Sequence, residues 1–182
     1  SAWTNLASFF RFVKTSRPSE TPIAFEATTL NPVDQNQLAW LCTFFQNHLN
    51  ALKLTFRNSN HEPKIGVQGG RLVGDALQDT TSLTHLDISF HDLGDDGSIP
   101  IGNGLKGEEC PLRRLILRRN QICLKGACHI GEGLERNSSL RVLSLDSNQI
   151  GPEGAGQIAE SLNRNSSLRV LSLDSNQIGP EG

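Results

Sequence analysis

The residues best suited to chemistry gather in LRRLILRRN, residues 112–120, where Arg113, Arg114, Arg118 and Arg119 form the densest positive charge in the chain. A guanidinium presents its donors in a rigid fork that matches a carboxylate or a phosphate, so this cluster can hold an anion. It cannot transform one unaided, and the other ingredients of catalysis are dispersed. His48, His61, His85, His91 and His129 fall in different parts of the chain. No nucleophile elbow, phosphate loop, dinucleotide fingerprint, HExxH pair or calcium loop is present. Cys42, Cys110, Cys123 and Cys128 lack zinc or disulfide-framework spacing. Cys123 and Cys128 beside His129 make a poor metal set and read as small buried apolar residues. The sequence therefore predicts no catalytic set, no metal and no cofactor.

What positions the arginines is a repeat. The eighteen residues NSSLRVLSLDSNQIGPEG at 137–154 return letter for letter at 165–182, an offset of 28. Within the unit, Leu143 and Leu145 alternate with Ser144 as a short strand does. Asn148 stands where the chain must turn, with an amide able to serve turn backbone that no sheet reaches. Gly151, Pro152 and Glu153 read as a helix start. Ala155, Ile158, Ala159 and Leu162 then fall on one helical stripe facing inward. Sliding this template upstream places strand pairs at Ile23/Phe25, Leu52/Leu54, Leu86/Ile88, Leu115/Leu117, Leu143/Leu145 and Leu171/Leu173, six strands in steps of 29, 34, 29, 28 and 28. The long step puts an insertion at 57–63. Helices are predicted at 33–48, 67–78, 124–136 and 152–163. Residues 98–104, with a proline and two glycines, predict a short or irregular segment instead. His91 takes the place of the turn asparagine and is expected to bond turn backbone.

The pattern LxxLxLxxNxIGxxG, with its 28- or 29-residue spacing, resembles the ribonuclease-inhibitor-like subclass of leucine-rich repeat proteins. That unit is shared by ribonuclease inhibitor, the Ran GTPase-activating protein and the sensor regions of NOD-like receptors. The resemblance implies an α/β solenoid, a horseshoe with a parallel concave sheet and convex helices, and a protein-interaction module rather than an enzyme. Two other readings stay open. One is an accessory subunit of a larger assembly; the other is a small-GTPase regulator, for which no residue here matches the activity.

Stacked parallel strands set the same repeat position of each unit side by side, which turns the template into a map of the concave face. One row reads Lys53, Asp87, Ile116, Ser144, Ser172; the next Thr55, Ser89, Arg118, Asp146, Asp174; the next Phe56, Phe90, Arg119, Ser147, Ser175. On this map Phe56 touches Phe90, Arg119 lies beside Phe90, Lys53 faces Asp87, and Arg118 faces Asp146. Aromatics beside arginines have the composition of an interface anchor. The candidate partner-binding residues are thus Phe56, Phe90, Arg118, Arg119, Lys53, Asp87, Arg114 and His85. The same contacts also fit plain packing, with a cation–π pair and lateral ion pairs. The loop at 57–63 is the alternative surface.

With 182 residues, 36% hydrophobic, and a net charge of -2, the chain suits one domain without bulk affinity for polyanions. Four arginines on one strand do not make the basic stripe of a nucleic-acid reader, so the expected partner is a protein with an acidic surface. The cysteine usage predicts an intracellular, cytoplasmic setting, in which the sequons at Asn137 and Asn165 stay unmodified. Residues 1–19 are basic and acid-free, and Trp3, Leu6, Phe10 and Val13 share a helical face. They read as a capping helix before repeats over 20–182, or as an organelle transit peptide. The absence of methionine and the stop at Gly182, where a further helix would begin, suggest a fragment.

Overall fold

The computed structural model of the chain describes residues 64–80, 83–107 and 110–180, and the backbone of one strand before them. Strand and helix alternate throughout: β1 (Lys53–Thr55), α1 (Gly66–Asp79), β2 (His85–Asp87), α2 (Gly94–Leu105), β3 (Arg114–Ile116), α3 (Leu124–Arg136), β4 (Val142–Ser144), α4 (Gly151–Leu162) and β5 (Val170–Ser172). The five strands form one parallel sheet in chain order. Each return from one strand to the next is made by a helix, as parallel pairing requires. The predicted capping helix at 1–19, the strand at Ile23/Phe25 and the helix at 33–48 lie outside the described residues.

The core lies between sheet and helices. Leu86, Leu115 and Leu143 enter from the strands, Ile88, Leu117 and Leu145 from the turns after them, and Ile101, Leu105, Ile130, Leu134 and Ile158 from the helices, all of them buried. The alternation read from the sequence therefore holds, and helices α1, α3 and α4 begin and end within one residue of their predicted bounds. Ala159 departs from the predicted stripe: it is exposed, at the repeat position where Gly131 of α3 meets Ser161 of α4.

Two expectations fail for definite reasons. Residues 98–104 are not irregular; α2 is a continuous helix with Pro100 inside it. A proline in a helix interior costs about 3 kcal/mol, but helices pack against both flanks of α2, and the full burial of Ile101 and Leu105 offsets that cost. Glycines let the helices close in, with Gly74 set against the backbone of Pro100 and Gly102 against that of His129. The second failure is register. Lys53 pairs with His85, Leu54 with Leu86 and Thr55 with Asp87, so the step between these units is shorter than predicted by two residues. Leu52/Leu54 and Leu54/Phe56 satisfy a two-residue period equally well, so a slip of two leaves every side chain on its face and the alternation cannot detect it.

Buried polar side chains hold the turn after each strand. Asn148 Oδ1 accepts from the backbone N–H of Asn120 at 2.9 Å and of Ile122 at 3.1 Å, and its Nδ2 donates to the carbonyls of Leu117 at 3.0 Å and Leu145 at 2.6 Å. Asn120 does the same one unit earlier, receiving His91 N–H and donating to Ile88 O, each at 2.9 Å. His91 stands at the next position of this ladder, 4% exposed, and its Nδ1 accepts from the Ile65 N–H at 3.4 Å, the turn-bonding role its place predicted. A second ladder, unforeseen, runs through the sequon asparagines. Asn137 is buried, donates to Leu105 O at 3.0 Å and accepts from Leu140 N at 2.7 Å. Helix α3 has no cap of its own; Asp95 of the preceding helix accepts from the N–H groups of Cys123 and Gly126, both at 2.8 Å.

Candidate binding surface

Helices cover one face of the sheet, which leaves the other to present side chains outward. Strand register aligns His85, Arg114, Val142 and Val170 in one row, and Asp87, Ile116, Ser144 and Ser172 in the next. Beyond the strand ends, Ser89, Arg118, Asp146 and Asp174 continue the face, followed by Phe90, Arg119, Ser147 and Ser175. This last row is the turn itself. All four residues have left-handed backbone, with φ of 68, 50, 55 and 58, a conformation that costs a bulky L-residue about 1 kcal/mol or more. The repeat imposes it, so Phe90 is carried where asparagine or serine would be easier.

The structure joins some of the expected neighbours and separates others. The Arg119 guanidinium lies 5.3 Å from the centroid of the half-buried Phe90 ring, within cation–π range. Arg118 Nε lies 3.3 Å from Asp146 Oδ2, the predicted lateral pair. Lys53 does not face Asp87: its register partner is His85, and Asp87 stands beside Thr55 and Ile116. Asp87 accepts from Ser89 N–H at 3.1 Å and its Oγ–H at 2.6 Å, and His85 Nδ1 lies 2.9 Å from Thr84 Oγ1. The Lys53 side chain and Phe56 lie outside the described residues, and the corrected register removes the basis for setting Phe56 beside Phe90. Arg114 is exposed. Among the described residues, neither it nor Arg119 forms an ion pair.

Asp146 is the electrostatic centre of the face. Burial opposes its ionisation. The hydroxyls of Ser172 and Ser144, the Asp174 N–H and the nearby Arg118 guanidinium outweigh that opposition and hold its carboxyl below the usual carboxylate range. A depressed folded value contributes stability above the unfolded value and loses it as the pH falls through the lower, folded one. The Asp146→Asn variant should therefore be less stable than the parent near pH 7, and the gap should narrow as the pH falls below about 4. Urea midpoints of both proteins across that range check this; a gap independent of pH would show that the carboxylate charge contributes nothing.

Elsewhere the chemistry is sparse. Cys110, Cys123 and Cys128 are free, and burial pushes each thiol up, away from the reactive thiolate. Cys110 is buried, whereas Cys123 and Cys128, expected to be buried, are only half-buried. On the helix side Lys106 Nζ pairs with Glu132 Oε2 at 2.9 Å and His129 Nδ1 lies 3.4 Å from the same oxygen. Among the described residues no set of histidine, cysteine or carboxylate ligands is placed to hold a metal, and no helix is long and apolar enough to cross a membrane. The row map overlooked two outward valines. Val142 is half-buried and Val170 is 51% exposed. Each stands one residue before an inward leucine, Leu143 or Leu171, and so falls on the outward face of its strand.

Strand, asparagine turn and helix recurring around one continuous core define an α/β repeat solenoid. The "Leucine Rich repeat" family matches residues 80–102, 136–159 and 164–182, three segments in step with the units seen here. The chain thus carries leucine-rich repeats over these segments, and its unit resembles the ribonuclease-inhibitor-like type. Over 118 residues, 65% of the chain, it is 28% identical to "NACHT, LRR and PYD domains-containing protein 14" of Mus musculus, and it spans 12% of that protein's length. Its fold is also similar to the solved structure "Leiomodin-1 Actin-Binding Site 2 (ABS2)", with a TM-score of 0.64 at 21% identity, over 78% of this chain and 80% of that one.

Proposed function

We propose that the chain is a non-enzymatic, intracellular protein-interaction module that docks an acidic partner surface on the concave, helix-free face of its sheet. The observation that carries this reading is the Phe90–Arg119 pair. A large aromatic sits at a left-handed turn position that disfavours it, under a guanidinium with no carboxylate partner among the described residues. A residue kept at a conformational cost in a solvent-facing row is more simply explained by contact with a ligand than by packing. Aromatics and arginines are also the side chains that dominate interface energetics. Arg118, Arg114 and His85 extend the patch over β2 and β3, and Asp87 borders it. The leiomodin actin-binding site supports a protein as the class of ligand for this fold.

Capture on the immobilised chain, identification by mass spectrometry and titration by calorimetry test the reading. Phe90→Asn should weaken the captured partner by about 2 kcal/mol or more, roughly 30-fold. It should leave folding stability unchanged or slightly raised, because asparagine accepts positive φ. Arg119→Ala should lose a similar affinity. Ser147→Ala and Ser175→Ala, in the same row, should be silent. Full affinity in both Phe90→Asn and Arg119→Ala would move the interface off this face.

A further inference from the structure

We propose that the open face reads a linear segment of its partner in which an aspartate or glutamate and an aliphatic side chain stand three residues apart. This rests on the concave-face reading above and goes further, because it fixes the chemistry of the segment's two anchors and their spacing.

The row Arg114, Val142, Val170 carries the argument. Register places the three side by side on β3, β4 and β5, and all three point away from the core that Leu115, Leu143 and Leu171 enter. Positive charge free to meet a ligand is concentrated at the β3 end of this row. Arg141 and Arg169, adjoining the two valines, are already engaged: the Arg141 guanidinium donates to the carbonyls of Ser138 at 3.0 Å and Ser167 at 3.1 Å, and that of Arg169 to Ser166 O at 3.1 Å. Arg114 has no such partner among the described residues. At the other end the character changes to aliphatic. Val170 is one of only two large hydrophobic side chains exposed among the described residues, and Val142 beside it is half-buried. No described acid lies in the row.

Spacing follows from geometry. Neighbouring strands lie about 4.8 Å apart, so Arg114 and Val170 are separated by roughly 10 Å across the sheet. A segment in the polyproline II conformation, laid across the strands, advances about 3.1 Å per residue and returns its side chain to the same face every third residue, so it covers that distance in about three residues. A carboxylate on the guanidinium then brings the side chain three residues away, in either chain direction, over Val142 and Val170. Bidentate pairing supplies specificity at one anchor, and burial of apolar surface supplies it at the other.

A random dodecamer library displayed on phage, selected on the full chain at low salt, tests this. Selected sequences are then remade as fluorescein-labelled peptides and titrated by anisotropy. The expected result is enrichment of an acidic and an aliphatic residue three apart, with binding weakened by about tenfold or more in Arg114→Gln and in Val170→Asp alike. Circular dichroism on each variant checks the fold, and Val170→Ser serves as the milder substitution should the aspartate unfold β5. Acidic peptides that lose binding in Arg114→Gln or Arg119→Ala but ignore both Val170 variants, or that carry the aliphatic residue at another spacing, would overturn the inference while leaving the concave face as the docking surface. Peptides indifferent to every variant of the face would overturn both. A selection that yields no binding peptide would rule out a linear segment as the ligand and leave a folded surface as the alternative for the same face.

Discussion

Asn148→Ala is expected to lower the unfolding free energy by about 4 kcal/mol. The side chain is 3% exposed and closes four hydrogen bonds of 3.1 Å or shorter, two received and two donated. All four partners are backbone groups of the turns; alanine leaves three of them without a substitute, while the Leu145 carbonyl keeps the Asn176 Nδ2 donor at 2.9 Å. An unsatisfied buried donor or acceptor costs about 1 to 3 kcal/mol, and partial entry of water into the gap keeps the sum nearer the low end of that range for each. The neighbouring Gln149 is exposed, so Gln149→Ala should stay within about 0.5 kcal/mol. Paired urea titrations give the difference directly. A loss below about 1 kcal/mol for Asn148→Ala would mean that the ladder does not hold the turns.

The contrast between these two residues also shows what was legible in the sequence. The asparagine could be read because a polar residue recurring at a fixed place after two leucines has few reasons to be there except a buried polar task. Strand faces and helix bounds were readable for a similar cause: period two and the stripe of a helix are local properties, and the 28-residue offset copies them. Failures occurred where the answer depends on another unit. Helix α2 exists because its neighbours supply a groove, and nothing within residues 98–104 records that groove. The pairing of Leu54 with Leu86 rather than Leu52 is invisible to alternation, since both choices keep the same face. Asp95 capping α3 from the helix before it, and Asn137 bonding back to Leu105, are long-range bonds with no local signature.

The candidate surface divides along the same line. Phe90 against Arg119 and Arg118 against Asp146 were readable because the repeat keeps its step of 28 or 29 from β2 onward, so neighbours follow from arithmetic. Lys53 and Phe56 precede the longer step, and their neighbours did not follow. Val142 and Val170 were passed over for a different reason. Valine is what a strand ordinarily carries, and only its position just before an inward leucine marks it as facing out.

The same substitution placed in two helices should move stability in opposite directions. Gly102 in α2 and Gly156 in α4 are both helical glycines, and alanine lowers the entropic cost of a helical position by about 0.5 to 1 kcal/mol relative to glycine. At Gly156 nothing lies within 4 Å of a Cβ built on the backbone, so Gly156→Ala should raise stability by about that amount. At Gly102 the added methyl would meet the carbonyl oxygen of His129 and lie 2.6 Å from its carbonyl carbon and 2.9 Å from Ile130 N. Those atoms belong to the backbone of α3 and cannot rotate aside. Relief requires α3 to move away from α2, which opens the packing of Leu105, Ile130 and Leu134, all fully buried. Overpacking of this kind costs about 3 kcal/mol, well above the helix-propensity gain. Thermal melts of Gly102→Ala, Gly156→Ala and the double variant decide the matter, with the double close to the sum because the sites lie in different helices without shared contacts. A stabilised Gly102→Ala would mean that the helices do not approach as closely as the fold requires.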